Sequence, residues 1–180
     1  NIGLDNLDIV PSHVVSEQEE IELFRLALNY SLLKHVLKPF KELYDFILID
    51  CPPSIGSLTI NALTAADSVL IPVQCEYYSI KALDKFIKSI ENTSNKYNKD
   101  LQFKGFLVTM FDKRIKKSKQ FEVELRYSFD NMVFNTIIPR NSRISESPSL
   151  GKPVALLDIA STGAISYLQL ADELLNYNKL

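Results

Sequence analysis

The sequence is poor in residues that bind zinc or form disulfides, and it has no long apolar run. Its two cysteines, Cys51 and Cys75, form no CxxC pair, and the only two histidines are His13 and His35. This pattern disfavours a zinc site and a disulfide scaffold. No run approaches the length of a bilayer-spanning helix, and the N-terminus lacks the basic and then apolar pattern of a signal peptide. We therefore expect a cytoplasmic protein.

The chain also lacks a large excess of charge of either sign. Its formal net charge is −2, with 23% charged and 46% hydrophobic residues, which is ordinary for a globular protein with a substantial core. Global electrostatic attraction to DNA or anionic lipid is therefore absent, and nucleic-acid binding would need a local basic patch. A length of 180 residues fits one domain, which we predict over residues 1–180.

Short apolar runs typical of strands alternate with helical patterns along the chain. The predicted strands are 7–10, 46–49, 68–73, 103–109 and 134–138. The predicted helices are a long one from Ser16 towards Pro39, then 58–66, 79–96, 119–129, a short piece at 144–150, and 163–177. Strands separated by such helices cannot be hairpin partners, so we expect an α/β fold with a mostly parallel sheet and helices on both faces.

Ligands of such sheets bind beyond the carboxyl ends of the strands, where Asp50, 109–112 and 139–143 are predicted to lie. Asp50 follows the apolar run 46–49 directly, which is typical of a Walker B carboxylate that holds Mg²⁺ beside nucleotide phosphates. A turn or helix cap explains Asp50 equally well from its position alone. The two prolines that follow restrict the loop and remove two amide donors, which favours a loop that faces a ligand.

Basic residues are concentrated in two stretches of the sequence. The stretch DKRIKKSK (112–119) holds five cations in eight positions, and PRNSR adds Arg140 and Arg143. A charge run taken alone is usually a solvated loop.

Cys51 is a weak candidate nucleophile, because neither histidine has a sequence context that marks it as a base.

Two long motifs resemble the ParA/Soj family of chromosome and plasmid partition ATPases. YDFILIDCPPSIGSLTINALTAADSVLIPVQCEYYSIKAL is similar to the family's Walker B and switch II region, and IIPRNSRISESPSLGKPV is similar to a later family segment. The resemblance implies a P-loop NTPase-like domain of the deviant Walker A (MinD/ParA) type. It further implies ATP and Mg²⁺ as cofactors, an ATP-bound homodimer, non-specific DNA binding, and a ParB-like partner that stimulates hydrolysis.

The same resemblance assigns roles to single residues. Asp50 would be the catalytic carboxylate and the magnesium ligand, and 74–83 would lie near the dimer interface. Pro139 and Asn141 match positions that contact the nucleotide, and Met110 lies in the matching strand-end segment. The basic positions that would contact DNA phosphates are Arg114, Lys116, Lys117 and Arg143. Two structural alternatives stay open, namely that Pro139 only ends a strand and that Met110 only fills the core.

One part of the family pattern is missing from the sequence. The family's first strand, its KGGVGKT-like phosphate loop, the next helix and the switch I aspartate would precede NLDIVPS, and no GxxxxGK[ST] pattern occurs in the 180 residues. That loop supplies most of the charge stabilisation in phosphoryl transfer. We therefore expect the C-terminal two thirds of such a domain, with weak ATP binding and negligible hydrolysis when alone.

Two alternative functions stay open at this point. The chain could be a truncated non-catalytic remnant or a DNA-binding or interaction module, or it could be a MinD-like membrane-associated ATPase. The final segment, SYLQLADELLNYNKL, carries two acidic residues and a single lysine, whereas a lipid-binding amphipathic helix is usually basic. We therefore expect no membrane binding, and the resemblance to the ParA/Soj family implies a nucleoid-associated cytoplasmic protein.

Overall fold

The computed structural model describes residues 5–75 and 80–177, and these residues divide into two compact units. The first unit contains 5–66 and 93–99, and the second contains 67–75, 80–92 and 100–177. The predicted extent of one domain over 1–180 stays a prediction. Among the described residues, no helix is both long enough and apolar enough to cross a bilayer.

The first unit is built from helices. They are α1 (Glu17–Leu26), α2 (Leu32–Leu37) and α3 (Ser57–Ala65), together with the last residues of α4 (Ile80–Tyr97). Ser16 begins α1 as predicted, because its Oγ accepts a hydrogen bond from the Glu19 N–H at 3.2 Å. A short 3-10 helix, Lys38–Phe40, follows α2 and contains Pro39, the residue towards which the predicted helix extends.

The long helix predicted from Ser16 towards Pro39 is divided in two. The Asn29 Oδ1 accepts hydrogen bonds from the Ser31 N–H at 3.4 Å and from the Ser31 Oγ at 3.0 Å. Such a side chain bonded to the backbone two residues later offers the chain a turn in place of a helix. The prediction of one continuous helix was therefore wrong, and α2 begins as a separate helix after the turn.

Two amide side chains, the buried Asn61 and the half-buried Asn98, connect the segments of the first unit. Asn61 on α3 accepts from the Leu33 N–H at 3.2 Å and donates to the Ala27 carbonyl at 2.6 Å. The Asn98 amide donates to the carbonyls of Leu63 and Ala66 at the end of α3, at 2.9 and 2.7 Å. These bonds satisfy backbone groups that helix ends leave without partners.

Two predicted strands of the first unit, 7–10 and 46–49, are not strands in the structure. Leu48, in the middle of the apolar run before Asp50, is 91% exposed. A strand needs a neighbour that exchanges backbone hydrogen bonds with it, and residues 5–66 and 93–99 contain no β-strand. Both strand predictions were therefore wrong, because apolar character alone does not supply a pairing partner.

The second unit contains a parallel three-stranded sheet in the order β1-β2-β3. Its strands are β1 (Ser68–Gln74), β2 (Gln102–Phe111) and β3 (Val133–Pro139). Its remaining helices are α5 (Lys116–Phe129), α6 (Ser142–Glu146), α7 (Val154–Leu157) and α8 (Thr162–Tyr177), with 3-10 helices at Asp130–Met132 and Ser147–Leu150. The three strands predicted here and their parallel direction are confirmed. Ser79, the predicted cap of α4, lies outside the described residues.

Helices cover both faces of this sheet, as predicted. Leu107 on β2 packs with Leu170 of α8 in a buried cluster that also contains Phe134 and Ile138. The preceding residue, Phe106, is buried, and its ring lies 4.8 Å from the Phe129 ring of α5, measured between centroids. Because successive side chains of a strand point to opposite faces, α8 and α5 lie on opposite sides of the sheet.

The pairing of β2 with β3 contains a bulge that side chains of two helices hold in place. Phe106 pairs with Val133 and Val108 with Ile137, so β3 has two extra residues in this interval. The Glu173 carboxylate of α8 accepts from the N–H groups of Asn135 and Thr136 at 2.7 and 2.9 Å. Arg126 of α5 donates to the Phe134 carbonyl at 3.0 Å. The backbone groups of the bulge are thereby satisfied.

Removal of the Glu173 carboxylate should destabilise the fold. Glu173→Ala leaves two backbone N–H groups of β3 without their acceptor, and we expect the free energy of unfolding to fall by about 1.5–3 kcal/mol, the range for a hydrogen bond to a charged group. Urea unfolding measures this change. Asp172→Ala, which removes the exposed carboxylate next to it, is the matched control. Equal losses in the two variants would contradict the role of Glu173.

Candidate functional site

The carboxyl ends of β2 and β3 lie side by side. Phe111 pairs with Pro139, and the Arg140 N–H donates to the Phe111 carbonyl at 2.9 Å. The residues that follow the two strands therefore leave the same edge of the sheet, as predicted from the sequence. This edge is where α/β sheets commonly bind ligands.

Met110 has an unusual backbone conformation at this edge. Its φ is 53°, in the left-handed region that residues other than glycine rarely adopt, and the β2–β3 pairing is irregular between Val108 and Phe111. Its side chain is 36% exposed, so Met110 does not fill the core. Backbone strain of this kind persists where the surroundings enforce it, and it is found mainly at functional sites. Pro139 is the last residue of β3 and ends the strand as predicted.

Asn141 connects the beginnings of two helices. Its Oδ1 accepts from the N–H groups of Arg143 and Ile144 at 2.9 and 3.4 Å, which caps α6. Its Nδ2 donates to the Thr162 Oγ1 at the start of α8, at 3.0 Å. An Asn before a short helical pattern is a recognisable signal for the cap of α6. The bond to Thr162 has no such signal, because the two residues are 21 positions apart in the sequence. Asn141 keeps a second N–H on Nδ2, since an amide carries two donors.

Arg114 is held by Asp112, a carboxylate whose role is not predictable from the sequence pattern. Asp112 accepts from the Arg114 Nε at 2.9 Å, from its Nη2 at 2.7 Å and from its backbone N–H at 2.9 Å. These bonds lower the pKa of Asp112 and raise that of Arg114, and the charge of Arg140 also lowers the pKa of Asp112. The Asp112 side chain is 10% exposed and that of Arg114 83%, so Arg114 is positioned at the surface by a nearly buried partner.

Lys116 and Lys117 are exposed and form the first turn of α5. That turn contains no acidic residue, and the preceding Ile115 gives no side-chain cap. Within 5–75 and 80–177, no carboxylate lies within ion-pair distance of either lysine. A helix N-terminus carries partial positive charge, so lysines are electrostatically unfavourable there and an anion is favourable.

Arg143 has two carboxylate partners. Its Nη1 lies 2.9 Å from the Glu146 Oε2, and its Nε lies 3.4 Å from the Asp158 Oδ2. The pKa of Arg143 is raised mainly by the bond to Glu146, and the charge of Asp158 adds to the shift. The two arginines predicted to bind DNA are therefore paired within the protein, whereas the two lysines are not.

Asp50 lies in the first unit, exposed on a loop rather than at a strand end. The described residues contain no group of three or more His, Cys, Asp or Glu side chains that could hold a metal ion. Mg²⁺ is usually held by one or two carboxylates together with substrate phosphates and water. As a magnesium ligand, Asp50 would be the single protein ligand, and the other ligands would have to come from phosphates and water.

Two further predictions from the sequence concern Cys51 as a nucleophile and the segment 74–83 as part of a dimer interface. Partial desolvation raises the pKa of the Cys51 thiol, and the neighbouring charge of Asp50 adds to this. A raised pKa lowers the fraction of reactive thiolate, which weighs against a nucleophilic role. The tyrosines of the segment 74–83, Tyr77 and Tyr78, lie outside the described residues.

The bond between Asp112 and Arg114 should make stability depend on acid pH. Because the folded-state pKa of Asp112 lies below the unfolded one, its contribution is complete at neutral pH and is lost as the pH falls below about 4, towards the lowered pKa. Asp112→Asn should therefore lower the melting temperature at neutral pH, and its difference from the unchanged chain should shrink in acid. Asp172→Asn is the control, and a pH-independent difference for Asp112→Asn would contradict the assignment.

Gly163 should be required for the contact between α8 and the Asn141 cap. A Cβ added at Gly163 would lie 2.7 Å from side-chain atoms of Ile144 and 3.1 Å from the Asn141 Cγ. Gly163→Ala should therefore destabilise the chain by about 1–3 kcal/mol, as overpacking does. In an Ile144→Ala background the same change should cost clearly less, since the nearest atoms are gone. A cost in urea unfolding that is equal in both backgrounds would exclude this steric explanation.

Known proteins resemble this chain over most of its length. A protein-family model described as an AAA domain matches residues 1–103. The sporulation initiation inhibitor protein Soj of Bacillus subtilis is 46% identical over 170 residues, which are 94% of this chain and 67% of Soj. The chromosome partitioning protein ParA of Myxococcus xanthus is 46% identical over 169 residues, which are 94% of this chain and 60% of ParA. The chain thus spans between 60% and 67% of the length of these two relatives.

Solved structures share the fold. The cobyrinic acid a,c-diamide synthase of Mycobacterium smegmatis, solved with bound ADP and magnesium, is 31% identical with a TM-score of 0.69, covering 86% of this chain and 58% of the synthase. The cell division ATPase MinD of Pyrococcus furiosus is 20% identical with a TM-score of 0.70, covering 91% of this chain and 63% of MinD, and shows the fold alone. Together with the parallel sheet and the identity to Soj and ParA, these matches show that the chain belongs to the ParA/Soj family, with a P-loop NTPase-like fold.

Proposed function

We propose that this chain is the larger part of a chromosome or plasmid partitioning ATPase that binds DNA without sequence preference. The relatives named Soj and ParA support a partitioning role. The observation that carries the DNA-binding part is the first turn of α5, where Lys116 and Lys117 lie exposed without an acidic neighbour in that turn. The protein accepts an electrostatic cost at this turn, and bound phosphates would relieve it.

The proposed DNA surface combines these lysines with Arg114 and Arg143. Contacts between such side chains and phosphates fix position but carry no sequence information, which suits a protein that acts on bulk chromosomal or plasmid DNA. Arg114 suits this task because Asp112 holds its guanidinium at the surface, so little side-chain entropy remains to be lost on binding.

The proposed nucleoside-binding residues lie in the second unit, at the edge formed by β2 and β3. Met110, Pro139 and Asn141 would position the nucleoside, with the second N–H of the Asn141 amide as a donor. Asp50 would be the protein ligand of magnesium, whose charge, when bound, stabilises the phosphates during transfer. The Mycobacterium smegmatis relative was solved with ADP and magnesium, which supports this cofactor pair for the family fold.

Further properties follow from the family and are proposed for a protein that also has the phosphate loop. They are an ATP-bound homodimer, stimulation of ATP hydrolysis by a ParB-like partner, and association with the nucleoid in the cytoplasm.

Charge reversal at the start of α5 should weaken DNA binding while it stabilises the helix. The salt dependence of DNA binding is the slope of log K against log salt concentration. In the Lys116→Glu, Lys117→Glu variant this slope should become less steep by about 2, which is about 1 for each lost phosphate contact. Acidic residues at these positions should also raise the free energy of unfolding by about 0.3–1 kcal/mol each. Fluorescence anisotropy with a labelled duplex of random sequence measures the first effect, and urea unfolding at low salt measures the second.

The matched control is Lys85→Glu with Lys99→Glu, which changes the net charge equally at exposed lysines outside the α5 turn. We expect this control to keep the salt slope of the unchanged chain. If both double variants lose DNA affinity to the same extent, the effect is one of net charge and the proposed surface is wrong.

A further inference from the structure

The two arginines of the proposed DNA surface are paired in different ways. The partner of Arg114 is Asp112, a nearly buried carboxylate with three hydrogen bonds to that arginine, one of them from the backbone. Arg143 meets Glu146 and Asp158, two carboxylates from different segments. The side chains of Arg143 and Glu146 are exposed, at 51% and 48%, and that of Asp158 is half-buried, at 35%. The first pairing depends on a nearly buried carboxylate with three bonds to one arginine, whereas the carboxylates of the second pairing are more accessible to solvent.

We propose that Glu146 and Asp158 compete with DNA phosphate for Arg143 and thereby lower the affinity of the surface for DNA. This inference rests on the proposed function, because it concerns the regulation of the same surface. The two carboxylates act as intramolecular substitutes for phosphate, and they set the ionic strength up to which the protein stays on DNA.

The geometry at Arg143 gives the competition its physical basis. Glu146 is bonded to Nη1 and Asp158 lies at Nε, so the carboxylates occupy two separate parts of the guanidinium fork. Phosphate binds arginine best through two parallel N–H donors. A phosphate that takes up this arrangement at the Nε side has to displace Asp158, and full access to Nη1 requires Glu146 to move.

The ion pairs of Arg143 are weak enough for a phosphate to replace the carboxylates in water. Ion pairs between exposed side chains contribute little to stability, so a phosphate displaces them at small cost. The Asp158 main chain is held independently of Arg143, because its carbonyl accepts from the Ser161 Oγ at 2.8 Å and from the Ser161 N–H at 3.1 Å. Asp158 therefore stays near Arg143 after displacement and returns when the DNA leaves.

Neutralisation of the two carboxylates should strengthen DNA binding. In the 180-residue chain, Glu146→Gln with Asp158→Asn should bind a labelled duplex of random sequence about 3- to 10-fold more tightly at moderate salt, as expected for the loss of two weak competing pairs. The control, Glu91→Gln with Asp172→Asn, removes the same charge from exposed positions on α4 and α8. This control should gain clearly less affinity.

A second comparison separates competition at Arg143 from a general effect of charge. When Arg143→Ala is added to the Glu146→Gln, Asp158→Asn variant, the gain in affinity should disappear. A gain that persists without Arg143, or an equal gain in the control, would overturn the inference. If the double variant does not fold, Glu146→Gln alone should give part of the gain and is judged by the same criteria.

These experiments distinguish a failure of the competition at Arg143 from a failure of the proposed DNA surface. If charge reversal at Lys116 and Lys117 leaves DNA binding unchanged, the proposed surface itself fails. If that reversal weakens binding but the neutralised variant binds no more tightly than its control, only the competition at Arg143 is refuted.

Discussion

The parallel pairing of β2 with β3 is the constraint on which the candidate site of the second unit depends. Phe111 opposite Pro139, with the bond from the Arg140 N–H to the Phe111 carbonyl, places two loops at one edge of the sheet. One loop leads to the basic start of α5 and the other to the cap of α6. A shift in this register would separate Met110 from Pro139 and move both loops.

The register is maintained by contacts that lie away from the candidate site. Glu173 and Arg126 satisfy the backbone of the β3 bulge, and Gly105 allows the close approach of Met132, whose carbonyl oxygen would lie 2.5 Å from a Cβ at that position. Gly105 also has a φ of 137°, which a side chain would strain. The site is thus supported by residues on both helices that cover the sheet, and changes there are expected to act on it indirectly.

Charge is distributed unevenly over the proposed DNA surface. Lysines stand at the positive end of α5 without a carboxylate in the first turn, while the exposed Arg114 and Arg143 are paired with carboxylates of the chain itself. In the proposal, the lysines attract DNA phosphates at a cost in helix stability, and Asp112 holds the Arg114 side chain in a fixed direction. Natural proteins often accept such local conflicts at functional sites, where ligand binding compensates them.

The sequence alone determined the strands of the second unit, their parallel direction, the helices between them and the family. Apolar runs such as 68–73 and 134–138 are identifiable because strands covered on both faces need apolar residues throughout. Tertiary structure decided the rest. The run 46–49 has the same apolar character, yet it forms no strand, since a strand requires a pairing partner that local sequence does not encode. Likewise, the bonds of Glu173 to β3, of Asn141 to Thr162 and of Arg143 to Asp158 join residues at least 15 positions apart, and only the folded chain brings such residues together.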